Sequence, residues 1–140
     1  MTTMIQKAQI HKANAHLFVR RALLADAVAT SATGLLLAAG AEVLTGWLGL
    51  PVALMRYAGL SLLPFAAIVL FVGLRAVPQR AAVMAIIAYN VMWMIDSVVL
   101  LASGWVAPTL LGSAFVILQA VTVGGFAMLQ WIGMKRAERG

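Results

Sequence analysis

The sequence predicts an all-α polytopic membrane protein, four transmembrane helices in an antiparallel bundle, and three observations carry the prediction. Hydrophobic residues make up 64% of the 140 and charged residues only 10%, with a mean hydropathy of +1.00, too apolar for a soluble domain of ordinary composition. Four runs are each long enough to cross a hydrocarbon core of about 30 Å, which takes roughly 20 residues rising about 1.5 Å apiece. These runs are continuous and rich in Leu, Ala, Val and Met, whereas a membrane barrel alternates polar and apolar residues in segments of about ten.

Taken in order, residues 1–21 form a basic arm, the spans lie at about 22–43, 57–74, 81–103 and 108–134, and residues 135–140 form a basic tail. In the arm, Met4, Ala8, His11, Ala15 and Phe18 recur at spacings of four and three. That stripe, beside Lys7 and Lys12, reads either as an interfacial helix drawn to anionic lipids of the inner leaflet or as a frayed basic arm. A basic start followed by an apolar run ending in Ala39 and Ala41 also fits a signal peptide. The three later spans need no such export signal, and Arg20 with Arg21 reads as a pair of topology charges rather than a twin-arginine signal. The spans are separated by Gly46, Gly49 and Pro51, then by Arg75, Pro78 and Arg80, then by Gly104 and Pro108. No residue-level repeat relates the two halves.

Charge sets the orientation. The chain carries ten Lys and Arg against four Asp and Glu, a net charge of +6. All the basic residues except Arg56 fall in the arm, the second loop or the tail, so their placement argues for membrane topology rather than for nucleic acid as a partner. Basic residues at span ends are retained on the cytoplasmic side, so both termini and the middle loop are expected inside a bacterial inner membrane. Trp47, Tyr57 and Trp105 then anchor the outer interface, and Trp131 the inner one.

Polar residues within the spans are the functional candidates, because hydrocarbon tolerates them only where they face protein or water. The spacing predicts one polar face per span: Asp26, Thr30, Thr33 and Leu37 in the first; Tyr57, Ser61 and Pro64 in the second; Tyr89, Trp93 and Asp96, flanked by Asn90 and Ser97, in the third; Gln119, Thr122, Phe126 and Gln130 in the fourth. Counting from Ala81 and Pro108 puts Asn90 and Gln119 both near the bilayer centre, where they are expected to pair. Asp96 lies one to two turns farther out, the most deeply placed charge. An Asp there costs about 2.5 to 3.5 kcal/mol unless neutralised, hydrated or paired. It is therefore expected either to carry a proton or to line a hydrated cavity open to the outside, in a ligand or proton site with Asn90, Trp93 and Gln119. The amides are equally interpretable as interhelical glue. Asp26, Thr30 and Gln130 form a secondary polar site near the inner end, with Asp26 expected to be a first-turn acid favoured by a helix N-terminus. Thr30, Gly34 and Ala38 make a small-residue track for close helix packing, within the bundle or across a dimer, and Ala120 with Gly124 offers a shorter one. Pro64 is expected to kink the second span.

No span holds a histidine, and the chain has no cysteine, so a nucleophilic set has no base and no thiol. His11 and His16 are five apart, a poor spacing for two metal ligands on one helix face. No dinucleotide or phosphate-binding motif is present, the eight methionines read as apolar filler, and neither a catalytic residue nor a cofactor or metal is assigned.

Four short spans with both termini inside and a membrane acid resemble the small multidrug resistance transporters, which work as dimers and exchange protons for cations. The run Ala41, Glu42, Val43 beside Leu44 and Gly46 is similar to the segment around that family's essential glutamate, although Glu42 lies at the outer end of its helix rather than deep within it, so that role is not carried over. Over its whole length the chain resembles small uncharacterised bacterial inner-membrane proteins of four helices, which implies architecture and no activity. The sequence thus leads to a non-enzymatic protein that binds or passes a small solute or proton through a polar bundle interior, as a homo-oligomer. An accessory or assembly subunit of a larger membrane complex is the alternative, and an intramembrane enzyme using Asp96 or Asp26 the third.

Overall fold

The computed structural model describes residues 2–139, so Met1 and Gly140 lie outside the described residues. It contains four α-helices: α1, Thr2–Leu48; α2, Val52–Leu74; α3, Arg80–Ser103; and α4, Leu110–Arg139. Each is long and apolar enough to cross a membrane.

The boundaries differ from the sequence expectation most at α1. No glycine or proline occurs between Thr2 and Thr33, so nothing interrupts the hydrogen-bonded ladder where the charge pattern changes at residue 21. The arm and the first span are one helix of 47 residues, about 70 Å long. Its first buried residue is Ala15, so about 20 Å of helix projects beyond the bundle. Gly46 does not break it either, and α1 stops at Gly49, whose φ of 69° is left-handed. Pro51 then starts α2 five residues earlier than expected. α3 ends at Gly104, again left-handed.

Around the bundle, α1 packs against α2 and α4, and α3 packs against α4. The α2 and α3 backbones stay farther apart, and there a stack of Phe65 on Tyr89, 3.8 Å between ring centres, fills the gap. The α1–α2 crossing is the tightest. A Cβ on Gly59 would come within 2.5 Å of the Ala38 nitrogen and 2.7 Å of the Gly34 carbonyl oxygen. The track of Thr30, Gly34 and Ala38 is therefore used against α2 within the chain.

The two ends are held differently. At one end the Thr109 backbone N–H donates to the Leu48 carbonyl at 2.9 Å and its hydroxyl to the Trp47 carbonyl at 2.7 Å, while that hydroxyl also accepts from the Gly112 N–H at 3.0 Å. One threonine thus closes the C-terminus of α1 and opens α4. At the other end Arg80 is ion-paired with Glu138, Arg20 donates to the Gly73 carbonyl at 3.2 Å, and Arg136 lies over the Phe18 ring. The basic residues of α1, α3 and α4 therefore gather at one end, and the pair Arg56–Glu42 lies at the other.

Candidate functional site

Asp26 and Thr30 are four residues apart on α1, one turn and the same face, and the Thr30 hydroxyl donates to Asp26 Oδ1 at 2.9 Å. Two other helices complete the group. Asn90 Nδ2 of α3 and Gln130 Nε2 of α4 each donate to Asp26 Oδ2 at 2.7 Å, and Asn90 Nδ2 lies 3.4 Å from Gln130 Oε1. Asp26 and Gln130 are 0% exposed and Asn90 1%, so this is a carboxylate sealed from solvent inside a three-helix junction. Leu23 and Ala27 beside it on α1, Ile86 one turn before Asn90 and Met134 one turn after Gln130 belong to one apolar cluster with Phe65, Val69 and Val83. Of the two arginines that precede it on α1, Arg20 is engaged with the Gly73 carbonyl and Arg21 is exposed.

This arrangement overturns the expectation for Asp26. It is no first-turn acid, because α1 begins at Thr2 and Asp26 lies about seven turns in. The expected Asn90–Gln119 pair is also absent, because Asn90 joins Asp26 and Gln130 instead. The reason is register. With Arg80 fixed to Glu138, Asn90 lies ten residues from that end and Gln130 eight, whereas Gln119 lies nineteen residues from it, farther out by about 13 Å. Asn90 therefore separates from Asp96, Trp93 and Gln119.

Those three meet in the other half of the bundle. Trp93, Asp96 and Gln119 line a cavity of about 260 Å³ together with Met55, Ala58 and Phe115. Asp96 is exposed there, while Trp93 and Gln119 are half-buried. A second cavity of about 170 Å³ lies mainly between α1 and α4 and includes Thr30, Thr33, Gln119 and Thr122 in its lining. Trp93, Phe115 and Gln119 border both spaces. Gln119 Nε2 is the one buried side-chain polar atom among the described residues without a hydrogen-bond partner. Thr30 borders the second cavity and also bonds Asp26. A series of polar groups thus leads from Asp96 past Gln119 and Thr30 to Asp26.

The second helix adds apolar lining to these cavities but no polar group. Tyr57, Ser61 and Pro64, the expected polar face of α2, are all exposed, and Ser61 bonds the Ala58 carbonyl of its own helix. The α2 face that is buried runs through Met55, Gly59, Leu62, Phe65, Ala66 and Val69. α2 continues as one helix through Pro64. Thr122 is likewise exposed and bonds within α4 to Leu118. No group of three or more His, Cys, Asp or Glu among the described residues is placed to hold a metal ion. Comparison with protein-family models, with curated proteins and with solved structures finds no match to this chain.

Proposed function

We propose that the protein is an integral membrane protein of the bacterial inner membrane, both termini cytoplasmic, that binds or passes a small solute or proton through its bundle interior. The observation that carries this reading is Gln119. Its Nε2 is a buried donor with no acceptor, a condition costing about 1 to 3 kcal/mol if left unmet, and it borders both cavities. A water or small solute offering an acceptor relieves it. Asp96 stands at the more exposed end of the series and Asp26 at its sealed end, and Gln119 is the polar group that the cavity beside Asp96 shares with the cavity beside Thr30.

The test is flux. Purified protein in liposomes carrying an internal pH indicator is expected to dissipate an imposed proton gradient faster than protein-free liposomes. Gln119→Leu and Asp26→Asn are expected to abolish the excess, and Asp96→Asn to slow it. Native mass spectrometry from mild detergent, expected to retain a small species that Gln119→Leu loses, covers a solute that carries no proton. Absence of both signals overturns the reading. An accessory role draws on a different feature, the projecting start of α1, where Met4, Ile5 and Ile10 are exposed alongside Lys7 and Lys12. A stoichiometric second membrane protein in the same spectrum, lost when residues 2–12 are removed, is the result that favours it.

A further inference from the structure

Asp26 presents a charge-balance problem that its hydrogen bonds do not solve. Two amides and a hydroxyl solvate the carboxylate, yet all three are neutral. The side chains shown on it, Thr30 from α1, Asn90 from α3 and Gln130 from α4, are all uncharged, and no Lys, Arg or His among the described residues is ion-paired with it. The nearest other titratable side chain in the apolar cluster is Tyr89, which is stacked on Phe65. A buried carboxylate with no cationic side chain beside it is balanced by a proton or by a bound cation. Here both of its oxygens are already taken up by donors, Oδ1 by Thr30 and Oδ2 by Asn90 and Gln130, an arrangement that suits a cation better than a proton.

We propose that Asp26, Thr30, Asn90 and Gln130 form a binding site for a monovalent metal cation, with sodium the ion of choice. The ligand set argues for the class. Asp26 brings two carboxylate oxygens, Thr30 a hydroxyl oxygen with lone pairs, and Asn90 and Gln130 one amide oxygen each. Every possible ligand is a hard oxygen and none is sulfur or imidazole, which selects against zinc, copper and iron. A single carboxylate balances one positive charge, and a divalent ion here would leave an excess charge as badly buried as the one it removed. The amides are suited to the change of role, because half a turn about the last side-chain bond exchanges NH₂ for C=O. Without the ion they donate to Asp26; with it they turn their oxygens inward. Three helices supply the ligands, so occupancy ties α1, α3 and α4 together at one level. Thr30 is the member of the group that borders the smaller cavity, whose lining shares Trp93, Phe115 and Gln119 with the cavity holding Asp96. The inference goes beyond the proposed function: it names the ion at the sealed end and requires no net transport.

Thermal unfolding of the full chain in detergent, at one fixed pH and constant ionic strength, tests it with sodium, potassium and choline chlorides as the probes. Ligand binding to the folded state alone raises Tm with concentration. A Tm that climbs with sodium in place of choline, and levels off, is expected. Asp26→Asn, which removes the charge and keeps the shape, is expected to lose that dependence. Thr30→Val keeps the carboxylate and is expected to shift the half-effective sodium concentration upward at least tenfold, and it serves equally if Asp26→Asn does not fold. Equal Tm in all three salts, or a sodium response unchanged in both variants, overturns the proposal. Failure of the flux assay with the sodium response intact leaves an ion that ties the bundle together. Flux without a sodium response removes this site and leaves the proposed function standing.

Discussion

At the scale of single residues, the buried group distinguishes a hydrogen bond that matters from one that does not. Asn90 Nδ2 reaches Asp26 across a helix junction where no water substitutes for it, so removing it strands part of a carboxylate. Losing a partner of a buried polar atom costs about 1 to 3 kcal/mol, more than the bond's net worth when both partners are made apolar. Asn90→Leu is therefore expected to lower unfolding stability in detergent by about 1 to 3 kcal/mol. Thr122→Val, which loses only a bond to its own helix on an exposed face, is expected to change it by less than about 0.5 kcal/mol. Because Asn90 and Gln130 share one acceptor oxygen, the double variant Asn90→Leu with Gln130→Leu is expected to depart from additivity. Equal effects at Asn90 and Thr122 contradict the junction. The residue types at this site were legible in the sequence, since Asp26, Thr30, Asn90 and Gln130 all stand out as polar atoms in apolar runs. Asp26, Thr30 and Gln130 could also be grouped by depth, whereas Asn90 could not be placed with them, because assigning it to Gln119 rested on span ends placed by hydropathy. The signal that finds the true partner is the pair of charged ends, Arg80 and Glu138, which sets the antiparallel register of α3 and α4.

At the scale of elements, the four helices could be read from run length alone, but their rotation could not. A helix apolar on nearly all sides has little amphipathic signal, and packing decides which face turns inward. For α2 the spacing of Tyr57, Ser61 and Pro64 suggested a polar face, whereas the small volume of Gly59 decides, since it lets α1 approach at Gly34. Gly59→Ala is expected to force the two backbones apart and cost about 1 to 3 kcal/mol, the usual penalty of overpacking. Gly125→Ala, where an added Cβ meets nothing within 4 Å, is expected to be neutral or to stabilise by up to about 1 kcal/mol through helix propensity. Unfolding midpoints of the two variants check this, and a reversed order contradicts the crossing. At the foot of α3 and α4, Glu138 lies beyond the apolar run that ends at Met134. Desolvation pushes its carboxyl up, but the hydrogen bond and charge of Arg80, with Lys135, outweigh that and hold it below its ordinary value. The folded state thus binds the proton more weakly than the unfolded chain. The pair's contribution is present above the ordinary carboxylate value and is lost as pH falls through the lowered one. Glu138→Gln is expected to flatten the acid side of the stability profile by lowering stability slightly at neutral pH and leaving it unchanged in acid, the change being small because the pair is exposed.

At the scale of the whole molecule, the argument is one of polarity along the bundle axis. Arg20, Arg75, Arg80, Lys135, Arg136 and Arg139 lie toward one end, and Arg56 pairs with Glu42 toward the other. Retention of basic residues on the cytoplasmic side then places Trp47 and Trp105, 66% and 81% exposed, at the outer interface. The cavity holding Asp96 lies in that half, so in the proposed orientation entry is from outside and the Asp26 junction lies toward the cytoplasm. The absence of cysteine makes the orientation directly measurable with single introduced thiols. Ser103→Cys, at the exposed end of α3, is expected to react with a membrane-impermeant maleimide added to intact cells. Gln79→Cys, in the exposed turn before α3, is expected to react only after the membrane is permeabilised. The opposite pattern inverts the protein and turns the Asp96 cavity toward the cytoplasm. In that case the same polar series loads from inside, and the flux variants keep their effects while the direction of access reverses. Labelling of both positions in intact cells instead breaks the antiparallel pairing of α3 with its neighbours, since one crossing of the bilayer must separate the two ends of that helix.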